Sequence, residues 1–293
     1  MEPAGKERET MYSDLAGKVA IVTGSGRRAG LGEAIAKRLA AEGAKLVVHD
    51  LGRAKDETAP AHGVGTEDEM AGIVADIRAA GGEASMFAAD MRIEAEVEAL
   101  IEHAVSTYGR LDILVNNAGV GFMFGPIVEM TEARWNTVLD VNLRGSFFAI
   151  KFAARRMIAQ EPQGNWGRGR IVSIASKAGK SASALTGAYS ASKHGLIGLT
   201  RAAALELGPH KINVNAICPN HVTTQLGAWQ NDFMSKARGQ TLDEYMAAMR
   251  GRIPLGRPGL VEDTANACAF LCSGQANYIT AEAMNVSGGE EYH

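Results

Sequence analysis

Apolar positions along the chain fall into short continuous runs, separated by longer stretches in which they recur every three or four residues. The runs are KVAIVT (18–23), KLVVHD (45–50), EASMFAAD (83–90), LDILVNN (111–117), GRIVSIAS (169–176) and KINVNAIC (211–218), closed by a short AMNV (283–286). Runs that are apolar nearly throughout predict strands buried on both faces. The intervening stretches, such as LGEAIAKRLAAEGA (31–44) and EAEVEALIEHAVSTYG (94–109), have helical period. This alternation predicts one α/β domain over 15–293, a doubly wound parallel sheet of about seven strands. Ligands of such a sheet sit at the carboxyl ends of its strands.

Three segments fall outside the alternation. The charged N-terminus MEPAGKERETMYSD (1–14) reads as a loose arm, without the apolar centre of a secretion signal. The stretch 51–68, rich in Gly, Pro and charge, reads as a loop. Residues 219–257 contain two helical patches beyond a strand's carboxyl end, where a substrate lid is useful.

Composition narrows the function classes. A length of 293 residues with 46% apolar content suits a single large core. A formal net charge of −3 argues against a nucleic-acid partner held through phosphates. No run approaches the roughly 18 apolar residues that cross a bilayer. Three cysteines make no disulfide framework, so a reduced cytoplasmic setting is expected. Cys268 and Cys272 read as core residues, and no metal site is expected.

The first strand runs into TGSGRRAGLG (23–32) and then directly into a helix. Glycines there let the backbone approach a pyrophosphate, and the helix N-terminus offers free N–H groups. Gly24, Arg28, Gly30, Leu31 and Gly32 are therefore expected to hold a dinucleotide, as in a Rossmann fold. The second strand ends at Asp50, beside Leu51, where a carboxylate accepts from a ribose 2′-hydroxyl and repels a 2′-phosphate. Arg27 and Arg28 pull the other way, since guanidinium groups pair with a 2′-phosphate. The strand fixes the place of Asp50, so NAD is favoured over NADP.

GAYSASKHG (187–195) puts Tyr189 and Lys193 one helical turn apart, on one face, among small neighbours. A free phenol, with a pKa near 10, is a poor base at neutral pH. A neighbouring ammonium favours phenolate, so Lys193 is expected to lower the pKa of Tyr189 for proton exchange with an alcohol or ketone.

Over residues 15 to 289 the chain resembles the short-chain dehydrogenase/reductases. The resemblance rests on TGSGRRAGLG, NNAG (116–119), VN (141–142), Ser176, YSASK (189–193), CPNHVTT (218–224), IPLGRPG (253–259) and NVSGG (285–289). Ser176 stands thirteen residues before Tyr189, the family's interval. The resemblance implies that Ser176 holds the substrate oxygen, that Lys193 also bonds the nicotinamide ribose, and that Asn142 anchors a water leading to solvent. It implies that Asp90 and Met91 meet the adenine. Asn116, Asn117, Ala118 and Gly119 would lie along the adenosine ribose, and Pro219, Val222 and Thr224 would meet the nicotinamide. It also implies a homotetramer. One departure is Pro219–Asn220, where the family usually has Pro-Gly; Asn tolerates the left-handed backbone that such a turn takes.

For substrate, the lid offers Trp229, Phe233, Met234, Tyr245, Met246 and Met249, and a loop at 121–126 adds Phe122, Met123 and Phe124. Either they line a pocket for a largely apolar, ring-containing or medium-sized secondary alcohol or ketone, or they pack internally. Lys177 and Lys180 offer charge for an anionic substrate, or are simply solvated. Two other readings stand beside the NAD-dependent alcohol dehydrogenase: an NADPH-dependent 3-oxoacyl thioester reductase, and a non-catalytic cofactor sensor.

Overall fold

The computed structural model describes residues 11–54 and 64–293. Seven parallel strands form one sheet: β1 (Val19–Val22), β2 (Lys45–Asp50), β3 (Glu83–Ala88), β4 (Ile113–Asn116), β5 (Gly169–Ile174), β6 (Ile212–Pro219) and β7 (Ala283–Val286). Their order is β3-β2-β1-β4-β5-β6-β7. The sequence direction reverses between β1 and β4, which opens a crevice at their carboxyl ends.

The helices are α1 (Leu31–Ala41), α2 (Glu67–Ala79), α3 (Glu94–Tyr108), α4 (Glu132–Leu139), α5 (Gly145–Ala159), α6 (Gly187–Leu207), α7 (Gln225–Ala237), α8 (Leu242–Arg252) and α9 (Val261–Cys272). Side chains alternate across the pleat, so each strand feeds two cores. Ala20 and Val22 pack with Ile35 and Leu39 of α1 and with Leu271 of α9. Val19 and Ile21 pack with Leu100 and Ile101 of α3 and Ala153 of α5. Every residue of β1, β4 and β5 is buried, so those runs show no alternation of polar and apolar positions, although β5 buries Arg170 and Ser173 and β4 ends in a buried Asn116.

The arm reading holds too far along the chain. Residues 1–10 lie outside the described residues, but from Tyr12 onward the segment is packed. The Tyr12 N–H donates to Glu42 Oε2 at 2.7 Å, Asp14 accepts from the Gly274 N–H at 2.6 Å, and Leu15 is fully buried. Tyr12 is an anchor within the charged stretch read as the arm, while Leu15 opens the domain where it was expected. In the loop after β2, residues 55–63 lie outside the described residues. Its far end returns to Gly52, whose N–H donates to the Gly65 carbonyl at 3.0 Å, and Thr66 caps α2 reciprocally with Glu69. The two predicted lid helices are α7 and α8, started by Thr224 and Thr241 caps.

Candidate active site

The glycine loop is built where backbones touch. Gly24 has a left-handed φ of +64°, and a Cβ there would lie 2.7 Å from Ala118 Cα. A Cβ on Gly32 would lie 2.3 Å from the Gly24 carbonyl oxygen. Asn117 Nδ2 donates to the carbonyls of Thr23 and Gly24 at 2.9 Å each, while Thr23 Oγ1 accepts from the Asn117 and Ala118 N–H groups at 3.0 Å. His49, in β2, completes the lattice. Its Nδ1 accepts from the Gly24 N–H at 3.2 Å, and Nε2 pairs with the Ala89 carbonyl at 3.1 Å. Burial pushes the His49 pKa down to about 4, so the ring is neutral and its proton sits on Nε2.

Asp50 lies over this loop, accepting from the Leu51 N–H at 2.8 Å and the Gly26 N–H at 3.2 Å, with the Gly65 N–H as a further donor. Burial outweighs those bonds and raises its pKa to about 6. Arg28 is engaged by carboxylates, Glu33 at 3.0 Å and Asp76, which turns its guanidinium to α1 and α2. Arg27 reaches across to Gln225 at the start of α7. Asp90 is buried and held by Arg92, whose Nη2 donates to Oδ2 at 2.8 Å.

At the other end, β5 delivers Ser176 and α6 delivers Tyr189 and Lys193. Ser176 Oγ accepts from the Ala178 N–H at 3.1 Å, and the hydroxyl is hydrogen-bonded to Tyr189. The Lys193 ammonium, 5.7 Å from the centre of the Tyr189 ring, donates to the Ile174 carbonyl at 2.8 Å. Burial lowers the Lys193 pKa to about 8. The expected lowering of Tyr189 is not what the structure shows. Burial raises the phenol's pKa, and the influence that opposes it is the Ser176 bond.

Asn142 sits in a π-helical turn, Asp140–Arg144, that joins α4 to α5. Its amide is committed on both sides: Oδ1 accepts from the Val120 N–H at 2.7 Å, and Nδ2 donates to the Val120 carbonyl and Ser192 Oγ at 3.0 Å each. Asn142 is therefore fully buried, and what it fixes directly is the chain after β4 and the start of α6.

One cleft of about 310 Å³ collects these groups. Every residue expected to hold the cofactor or act on the reacting oxygen lines it, from Gly24 and Asp50 through Gly119 to Ser176, Tyr189, Lys193 and Thr224, save Asn116 and Asn142. Those two are buried behind it. Of the large apolar side chains weighed for substrate contact, Phe122 lines the cleft. Phe124, Met234, Tyr245 and Met249 are buried together, with Trp229 and Phe233 stacked at 5.4 Å against them. Phe124 meets the Tyr189 ring edge-on at 5.8 Å. Internal packing accounts for most of that list.

Leu226 and Gln230, which the sequence did not mark, line the cleft from α7, and Gln230 Nε2 donates to the Gly121 carbonyl at 2.7 Å. Lys177 pairs with Glu290 at 2.7 Å, which answers its charge within the chain, and Lys180 donates to the His293 carbonyl; neither lines the cleft. Asn220 does not take a left-handed φ; its side chain is tied instead to the Ser287 carbonyl, at 2.8 Å, and to Glu290. Among the described residues no cluster of metal-ligating side chains occurs, and no helix is long and apolar enough to cross a membrane.

Comparison with known proteins agrees with this arrangement. A family model described as enoyl-(acyl carrier protein) reductase matches residues 24–291. The 3-oxoacyl-(acyl-carrier-protein) reductase of Staphylococcus aureus is 35% identical over 93% of this chain and 97% of its own. Among solved structures, NAD+-bound xylitol dehydrogenase is 31% identical, covers 94% of this chain and 99% of its own, and superposes with a TM-score of 0.82. An actinorhodin polyketide ketoreductase variant with NADPH is 34% identical, covers 94% and 98%, and gives 0.83. The chain belongs to the short-chain dehydrogenase/reductase family of NAD(P)-binding oxidoreductases.

Proposed function

We propose that this chain interconverts a secondary alcohol and a ketone with NAD, using Tyr189 as the acid and base. The observation that carries the reading is the meeting of Ser176, Tyr189 and Lys193 at one end of a cleft whose other end holds Asp50 and a glycine loop with no room for side chains. A backbone wall of that kind suits a pyrophosphate, and the N-terminus of α1 favours its charge. A bound nicotinamide would accept or return the hydride. In the reducing direction Tyr189 gives its proton to the carbonyl oxygen, which a phenol kept protonated by burial is suited to do. In the oxidising direction it takes that proton back. Ser176 steadies the same oxygen as charge develops on it. Lys193 places a cation beside the pair, and Asn142 holds the chain that backs it.

Asp50 supports NAD, and the turning of Arg28 toward Glu33 and Asp76 removes one argument for NADP. The substrate is read as neutral and largely apolar, from Phe122 and Leu226 at the mouth. The similarity to the Staphylococcus aureus enzyme keeps a second reading in view, an NADPH-dependent 3-oxoacyl thioester reductase. A non-catalytic sensor would not require Ser176, Tyr189 and Lys193 together. We also place the chain as a cytoplasmic homotetramer; exposed Phe147 and Ile158 on α5 and Leu205 on α6 supply apolar surface for packing between subunits.

The test is Tyr189→Phe, with kcat and NADH affinity measured together on a panel of ketones, alcohols and acyl thioesters. Turnover should fall about 10³-fold while NADH binding stays within about twofold. Retained turnover would remove Tyr189 from its role, and preference for a thioester with NADPH would favour the second reading.

A further inference from the structure

We infer that Glu290 is a positioning residue for the reaction proposed above, a buried anion that sets the nicotinamide side of the cleft through Asn220 and Lys177. Its side chain is only 5% exposed, yet it faces three segments. Oε1 lies 2.7 Å from Lys177 Nζ, next in sequence to Ser176, and 3.5 Å from Arg252 Nε, at the end of α8. Oε2 accepts from Asn220 Nδ2 at 3.2 Å, next in sequence to Pro219. Ser176, Pro219 and Asn220 line the cleft, whereas Glu290 does not, so any influence it has passes through them.

The tail is shaped to bring it there. Gly288 and Gly289 both take left-handed φ, +63° and +90°. Cβ atoms on them would stand 2.8 Å from Ile253 Cγ2 and 2.9 Å from Pro254 Cγ. Ser287 and Glu291 then exchange hydrogen bonds, Oγ to carbonyl at 3.0 Å and N–H to Oγ at 3.1 Å, which closes the turn. Asn220 replaces a free turn with one anchored on this carboxylate and on the Ser287 carbonyl. Without the carboxylate charge, Lys177 and Arg252 face one another with no anion between them, and the chain after Ser176 is pushed from the lid.

The experiment compares wild type, Glu290→Gln, Glu290→Asp and the double variant Glu290→Gln/Lys177→Met. Fluorescence titration gives NADH affinity, and calorimetric titration gives that of ADP-ribose, which lacks the nicotinamide. Glu290→Gln should weaken NADH about fivefold while leaving ADP-ribose within twofold, the loss expected for one displaced hydrogen-bonded contact. Glu290→Asp, which keeps the charge, and the double variant, which removes one of the opposed cations, should each recover most of that loss. A drop in Tm with the NADH to ADP-ribose ratio unchanged, or no recovery in the double variant, overturns the inference and leaves the proposed reaction standing. Failure of wild type to bind NADH overturns both.

Discussion

Exchanging Lys193 for methionine separates what this lysine does for the chemistry from what it costs the fold. The side chain is 5% exposed, and burial lowers its pKa from 10.5 to about 8. At pH 7 it is protonated in both folded and unfolded chains, so the folded state bears the whole penalty. The shift of 10.5 − 8 = 2.5 corresponds to roughly 3 kcal/mol. Opposing it is the 2.8 Å bond to the Ile174 carbonyl, an oxygen that methionine would leave without this donor at a cost of about 1–2 kcal/mol.

The variant is therefore expected to be more stable than wild type by about 1–2 kcal/mol at pH 7, or about 2–4 °C in Tm, although its turnover collapses. The folded pKa is depressed, so between about pH 8 and 10.5 the unfolded chain binds more protons than the folded one. Wild-type stability then rises with pH relative to the variant. Near pH 10 the penalty has fallen below about 1 kcal/mol and the order inverts. Urea unfolding of both proteins at pH 7 and pH 10, at equal protomer concentration, measures the gap. A variant less stable than wild type at pH 7, or a gap that ignores pH, would refute the reasoning.

Two further outcomes are expected. Gly32→Ala puts a methyl 2.3 Å from the Gly24 carbonyl oxygen and 2.7 Å from Ser25 Cα, both backbone atoms, so the loop itself must move. NADH affinity should drop at least about tenfold, with about 1–3 kcal/mol of stability lost in urea unfolding, and wild-type affinity would contradict the cradle. Asp50, raised to about 6, gains a proton as pH falls through that value and no longer repels a 2′-phosphate. The preference for NADH over NADPH in binding titrations should narrow several-fold from pH 7.5 to 5.5. Asp50→Asn should already be narrowed at pH 7.5, with only the phosphate's own titration left to change it; equal pH dependence in both proteins would exclude Asp50 as the discriminator.

The sheet was legible because burial on both faces writes itself as apolar runs, unbroken in β1, closed by Asn116 in β4 and interrupted in β5 by Arg170 and Ser173. The gathering of Gly32, Ser176 and Tyr189 on one cleft was legible because each holds a fixed place in a motif. What the sequence could not carry depends on distant neighbours. The pKa direction of Tyr189 is set by walls drawn from other elements, not by the lysine one turn away. Lys177 meets a carboxylate 113 positions on, and His49 supports Gly24 from a strand that reads as plain core. Phe233 and Met249 look like pocket lining in one dimension and are largely packing in three. His49 had one available sign, a titratable residue inside an apolar strand beside the glycine loop.

The π-helical turn at Asp140–Arg144 sets a rule for how this chain can change. It lodges a surplus residue in a rod that otherwise runs from Glu132 to Ala159. That wider turn absorbs the extra residue, and the two halves keep the facing that an unbroken helix one residue shorter would give them. Deleting it would close the turn to ordinary helix with the greasy side of α5 still toward the sheet, and the change would fall on Asn142 and its hold on Val120. The outer halves of this rod do not depend on the extra residue; what the bulge secures is the place of a single amide.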